Sequence, residues 1–116
     1  MRTLLIALSS FFLWECGGAK TEKKIQDIVN QPGTILVDVR TPEEYEESHI
    51  DGSVNIPLAV LTDSIQFLKQ YENIVVFCAA GKRSARAADI LKSAGFDNVF
   101  DGGGRENIAA ALESAC

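Results

Sequence analysis

Two uninterrupted apolar runs organise the chain. Thr34-Ile35-Leu36-Val37-Asp38-Val39 and Ile74-Val75-Val76-Phe77 are rich in β-branched residues and do not alternate with polar ones. That is the pattern of strands buried on both faces of a sheet. Around them the apolar spacing changes to three and four. Ile25, Ile28 and Val29 predict a short amphipathic helix over 21–30, ended by Gln31-Pro32-Gly33. Thr41-Pro42-Glu43-Glu44 predicts a second start: Thr41 caps, Pro42 takes the first helical position and Glu44 closes a capping box. That helix gives way to a turn at Ser48-His49-Ile50-Asp51-Gly52. Leu61, Ile65 and Leu68 mark one face of a helix with Thr62 or Ser64 as cap. Ala87, Ile90, Leu91 and Ala94 mark another, opened by Ser84 and stopped by Gly95, and Ile108, Ala111, Leu112 and Ala115 outline the last. Val54 to Ile56, stopped by Pro57, and Asn98-Val99-Phe100 are short strands, and Asp101 to Gly104 reads as a loop. Strands alternating with helices imply an α/β fold, a small parallel sheet with helices on both faces. No repeat and no second domain interrupts it.

The N-terminus has a different character. Arg2 is followed by a mostly apolar run from Leu4 to Trp14, and the chain turns polar at Gly17-Gly18-Ala19-Lys20. The run is too short to span a bilayer, which takes ~20 residues, and fits a secretory signal. The expected organisation is a signal peptide over 1–15, a flexible tether over 16–20 and one domain over 21–116. Leu13-Trp14-Glu15-Cys16 resembles a bacterial lipobox, although Trp14 and Glu15 stand where that motif has small residues. The resemblance implies lipid on Cys16 and an exported protein anchored to a bacterial membrane. A plainly cleaved signal and a soluble periplasmic form is one alternative, and a buried strand or helix of the domain is another. Membrane contact is expected only through Cys16.

Charge and composition narrow the function. Of 116 residues, 16 are acidic and 11 basic, a net charge of −5, which argues against a nucleic-acid-coating surface. With 47% hydrophobic residues the chain can fill a core. Three cysteines and no Cys-x-x-Cys pair make no disulfide scaffold, and with His49 the only histidine no zinc site is expected. Cys116 reads as an incidental thiol, or as a partner for a mixed disulfide with Cys78 in an oxidising compartment.

The chemistry concentrates at Cys78. It ends the Val75-Val76-Phe77 strand, and six residues later Ser84 begins a helix. In a parallel α/β sheet, sites form where strand C-termini meet helix N-termini. There, inward-facing amides and the helix dipole favour a thiolate and lower a thiol's pKa. Gly81 lets the backbone bend round an anion, and Lys82 and Arg83 add positive charge. Arg86, further along, reads as solvated surface. A lone strand-end cysteine is ordinarily a small buried hydrophobe. The glycine, two cations and serine that follow Cys78 point instead to a reactive one, which has to be ionised near neutral pH and reachable from solvent.

Cys78-Ala79-Ala80-Gly81-Lys82-Arg83-Ser84, followed by Ala87-Ala88, Leu91 and Gly95-Phe96, resembles the active-site loop and helix of a single-domain rhodanese. Leu36-Val37-Asp38-Val39-Arg40-Thr41-Pro42-Glu43-Glu44-Tyr45 and His49-Ile50-Asp51-Gly52-Ser53-Val54-Asn55-Ile56-Pro57 resemble the family's other two signatures, so the likeness spans about residues 21–112. Gly102-Gly103-Gly104 echoes a family loop, while Asn107-Ile108 stands near where the family commonly has a tryptophan.

The resemblance implies a rhodanese-like fold and a sulfurtransferase. Cys78 takes a sulfane sulfur from thiosulfate or a similar small anionic donor as a persulfide, then passes it to cyanide or a thiol, a thioredoxin-like protein among them. The loop from Ala79 and Ala80 through Gly81 to Ser84 holds the persulfide and the donor oxyanion. Lys82 contacts the donor, and Arg83 binds it or fixes the loop. Asp38 and Arg40 support the site, as acceptor for the loop and as substrate contact, or simply form a structural ion pair. His49 is structural. No metal or organic cofactor is implied, because the covalent cysteine divides the transfer into two steps. A non-catalytic module that stores sulfur or binds an anion or partner is the competing expectation. A cysteine phosphatase is a third, disfavoured by spacing: Arg83 follows Cys78 after four intervening residues, whereas the phosphatase cradle has five.

Overall fold

Two strands are buried on both faces. In a computed structural model, which describes residues 20–113, the first apolar run is β1 (Thr34–Asp38) and the second is β3 (Asn73–Cys78). β2 (Ser53–Asn55) and β4 (Val99–Gly104) flank them in a four-stranded sheet of order β2-β1-β3-β4, every pair parallel. Alternation along β3 sends its side chains to opposite faces. Ile74, Val76 and Cys78 join Ile35 and Val37 in one core layer, under Leu61, Leu68, Ala87 and Leu91. Val75 and Phe77 join Leu36 in the other, under Ile28, Val29, Ile108 and Ala111. The elements that supply these partners are α1 (Lys20–Val29), a 3-10 helix (Leu58–Ser64) carrying Leu61, α3 (Ile65–Leu68), α4 (Lys82–Ser93) and α5 (Arg105–Glu113). The small α2 (Pro42–Glu47) buries nothing.

The connection from β1 leads through α2 to β2, and the connection from β3 leads through α4 to β4, on opposite sides of the sheet. The chain therefore switches direction between the C-terminal ends of β1 and β3, where a crevice opens in sheets of this kind. Cys78 stands at that point.

Local chemistry sets the boundaries. Thr41 Oγ1 accepts the Glu44 amide at 3.2 Å while Glu44 Oε1 accepts the Thr41 amide at 2.9 Å, which is the expected capping box. Gly95, at φ +105°, ends α4 with paired amide bonds from Phe96 to Leu91 O and from Gly95 to Lys92 O.

Three expectations are corrected. The segment carrying Leu61 is a 3-10 helix over Leu58–Ser64 that turns α-helical only at Ile65, and Ser64 makes no side-chain cap. Val60 departs from helical backbone angles, which breaks the regular turn. The N-cap of α4 is Gly81, at φ +105°, and Ser84 lies inside the first turn. Asp101 to Gly104 is not a loop. It completes β4, with Val76 opposite Asp101 but Cys78 opposite Gly104, so β4 carries one extra residue there. Such a bulge keeps the glycines in the sheet while kinking it, and Gly103 takes the positive φ of +79°. Cys16, the segments read as signal and tether up to residue 19, Ala115 and Cys116 lie outside the described residues.

Candidate active site

Cys78 ends β3, and the next five residues turn back so that the first turn of α4 faces its sulfur. Sγ accepts the amide N–H of Gly81 at 3.0 Å and of Ser84 at 3.3 Å. Burial is the largest single influence on this thiol and pushes its pKa up. The amides of Ser84, Gly81 and Ala80 and the Ser84 hydroxyl together outweigh it, so the pKa lies below the ordinary thiol value. Only 1% of Cys78 is exposed. The sulfur is thus less open than a freely reachable nucleophile, because the amides that favour the anion close round it. It sits on the floor of the loop, while Ala79 and Ala80 are exposed.

Ser84 is wholly buried. Its amide serves Sγ, and its hydroxyl proton has two acceptors in reach, Asp101 Oδ1 at 2.7 Å and Gly81 O at 2.9 Å. Asp101 also accepts the Gly103 amide at 3.0 Å. The β4 bulge therefore braces the loop from behind. Gly104 fits closely: a Cβ there would lie 2.8 Å from the carbonyl oxygen of Ala79. Gly104→Ala has to push the loop away from the strand. A shift of this kind costs about 1–3 kcal/mol of stability and roughly 10- to 100-fold in turnover, a split read by sulfur-transfer kinetics beside a thermal melt.

Arg83 does not face the sulfur. Its Nη1 and Nη2 donate to Glu44 Oε1 and Oε2 at 2.8 and 3.1 Å, which ties α4 to α2. Hydrogen bonding from Arg83, then from the Thr41 amide, holds Glu44 at about 2. Its guanidinium is held by a side-chain carboxylate on α2 and not by backbone acceptors of the loop. Lys82 is exposed, and among the described residues it has no ion-pair partner.

Asp38 and Arg40 form a buried pair at the end of β1. Asp38 Oδ1 accepts from Arg40 N at 3.0 Å and Nε at 2.9 Å, and Oδ2 accepts from Nη2 at 2.8 Å. Arg40 Nη2 also donates to Ser48 O at 2.8 Å. None of the carboxylate's bonds comes from the loop over 79–84, so the arrangement is the structural ion pair rather than an acceptor for the loop. His49 stacks on Tyr45 with ring centroids 4.0 Å apart and closes the end of α2. Among the described residues no three His, Cys, Asp or Glu side chains gather to hold a metal ion. Glu44 as partner of Arg83 and Asp101 as partner of Ser84 leave no signal in the sequence, because nothing local pairs residues 39 and 17 positions apart.

A strand-end cysteine whose sulfur is wrapped by the amides of a short loop entering a helix can carry a sulfur atom or hold an anion. The chain belongs to the rhodanese-like domain family, whose model matches residues 21–110. It is 37% identical over 75 residues to the thiosulfate sulfurtransferase PspE of Escherichia coli K12, a stretch covering 63% of this chain and 72% of that protein. It is 34% identical over 83 residues to the thiosulfate:glutathione sulfurtransferase of Saccharomyces cerevisiae, covering 60% of each. Other relatives are longer still, and the chain spans as little as 23% of them. Among solved structures, a rhodanese with anions from E. coli superposes with a TM-score of 0.60 at 36% identity, over 66% of this chain and 92% of that one.

Proposed function

We propose that the protein is a sulfurtransferase that moves a sulfane sulfur from thiosulfate or a similar anionic donor to cyanide or a thiol through a persulfide on Cys78. The observation that carries this reading is the convergence of loop amides on Sγ, with the resulting bias to the thiolate. The thiolate attacks the outer sulfur of thiosulfate. The sulfur–sulfur bond of the donor breaks, and sulfite leaves with the electron pair. Cys78 then carries the sulfur as a persulfide anion, for which the amides of Ala80, Gly81 and Ser84 are preorganised donors. The acceptor attacks that outer sulfur and the electron pair returns to Sγ, leaving thiocyanate or an acceptor persulfide. Lys82 is the cation available to the donor's sulfonate end, since Arg83 is committed to Glu44. The apolar N-terminal run and Cys16 support export and a lipid anchor.

The test is mass spectrometry of the intact protein after brief exposure to thiosulfate. The expected result is a gain of one sulfur atom at Cys78, removed by cyanide. The rate of loading should rise with pH as the thiol ionises and level off at a midpoint below the ~8.5 of a free cysteine. No added sulfur on Cys78 with any donor, or a midpoint above the free value, overturns the proposal.

A further inference from the structure

The carboxylate of Asp101 reaches the cysteine loop from outside it. Asp101 lies opposite Val76 in the parallel pairing of β4 with β3, and Val76 and Cys78 belong to the same core layer. Partners across a sheet project to the same face, so Asp101 points to the side on which α4 packs. One extra residue of β4 separates this pairing from that of Cys78 with Gly104. Within that bulge Asp101 Oδ1 accepts the Gly103 amide at 3.0 Å, and the same oxygen accepts the hydroxyl of Ser84 at 2.7 Å. An exposed side chain is in this way pinned by its own strand and aimed at a residue that is wholly buried. Ser84 has one hydroxyl proton and a second acceptor inside its own turn, Gly81 O at 2.9 Å. A carboxylate is the stronger acceptor, so the proton goes to Asp101, and the first turn of α4 is tied to β4. The amide of that same serine lies 3.3 Å from Sγ.

We propose that Asp101 is a positioning residue for the sulfur chemistry: by holding the hydroxyl of Ser84 it sets the reach of the Ser84 amide to Sγ. The proposal rests on the reading of Cys78 as a thiolate that carries sulfur. It adds a residue that makes no hydrogen bond to the sulfur itself. The effect is one of geometry, since a hydrogen bond weakens steeply as it lengthens or bends. The other charged groups round the loop are Arg83 on α4, paired with Glu44 of α2, the Asp38–Arg40 pair at the end of β1, and exposed Lys82 on α4. They form a constant background when Asp101 is changed. The sequence gives Asp101 no such role, because 17 positions separate it from Ser84.

The experiment compares Asp101→Asn with Asp101→Ala, which carry the same charge. Both native bonds fall on Oδ1, so an asparagine carbonyl still accepts them, whereas alanine leaves the hydroxyl to Gly81 O. The full chain is treated with iodoacetamide across a range of pH. Mass spectrometry reads the rate of modification of the peptide bearing Cys78, apart from Cys16 and Cys116. The midpoint of that rate is expected about 0.5–1 pH unit higher for Asp101→Ala than for Asp101→Asn, the scale of one hydrogen bond. On a Ser84→Ala background the two changes at Asp101 should share one midpoint, because the residue through which they act has lost its hydroxyl. Equal midpoints with Ser84 present, a midpoint that falls in Asp101→Ala, or a difference that survives Ser84→Ala overturns the proposal. A lower melting temperature with an unmoved midpoint does the same, since it makes Asp101 a brace of the fold only. A Cys78 that shows the expected midpoints yet gains no sulfur from any donor overturns the persulfide reading and leaves the role of Asp101 standing. A Cys78 that no pH renders reactive overturns both.

Discussion

Cys78→Ser is expected to remove sulfur transfer from thiosulfate to cyanide almost completely, lowering turnover by about four to six orders of magnitude, the scale seen when a covalent nucleophile is deleted. The cause is chemical, because the fold survives the exchange. Serine is close to cysteine in shape, and the amides of Gly81 and Ser84 that point at Sγ would still meet an acceptor oxygen. What is lost is the anion. The loop offsets the burial of a thiol by enough to bring its pKa below the ordinary value; the same donors cannot ionise a serine hydroxyl near neutrality. The variant should therefore melt close to the parent and form no thiocyanate from thiosulfate. Activity within tenfold of the parent would show that another group carries the sulfur. Retained binding of anions without turnover is compatible with this expectation, since the cradle remains.

The spacing of the loop argues in the same direction. Four residues separate Cys78 from Arg83, and the first turn of α4 brings the Ser84 amide back onto the sulfur. A cradle that closes on one sulfur atom leaves little room for a tetrahedral phosphate at the same place. Arg83, the residue a phosphatase would turn inward, instead spans to Glu44.

Much of this was legible in the chain because the signals are local. β1 and β3 declare themselves through apolar runs, since a strand buried on both faces has no polar side to alternate. The capping box of α2 and the Gly95 stop of α4 are set by residues within one helical turn of each other. The amide donors that meet the sulfur lie within six residues of it, so their approach to Cys78 is a local property of the chain. The remainder depends on tertiary pairing. Asp101-Gly102-Gly103-Gly104 has the composition of a loop, and only hydrogen bonding to β3 makes it strand. Gly102 shows the reason for the glycines: a Cβ there would meet Ile108 Cδ1 at 2.6 Å and Val75 Cγ1 at 3.0 Å, so α5 can approach β3 only over a bare backbone. The Glu44–Arg83 bridge and the Ser84–Asp101 bond join segments that are distant in sequence, and charge patterning along the chain contains no trace of either.

Asp38→Ala should be the most destabilising single change at the site, by about 3–5 kcal/mol. Asp38 is fully buried and Arg40 is 5% exposed, so truncation leaves a guanidinium out of water with its principal acceptor gone. Ser48 O would still accept Nη2, but a single carbonyl does not replace a carboxylate that takes three Arg40 nitrogens. For a domain of this size a loss of that order lowers the melting temperature by roughly 15 °C or more. In urea the midpoint should fall while the slope stays constant, because the surface exposed on unfolding is unchanged. The double variant Asp38→Ala, Arg40→Met separates the two contributions. Removing the stranded charge should recover part of the loss, since an apolar replacement for a buried ion pair is often tolerated. Function should suffer beyond stability in both. Arg40 ties the turn at Ser48 to the end of β1, that turn follows α2, and α2 carries the Glu44 that holds Arg83 and the first turn of α4. Turnover measured well below the melting point should therefore remain depressed in the double variant, even where its stability has partly returned. A variant that loses under ~1 kcal/mol would mean that water already reaches Arg40, and that the pair does not clamp the crevice between β1 and β3.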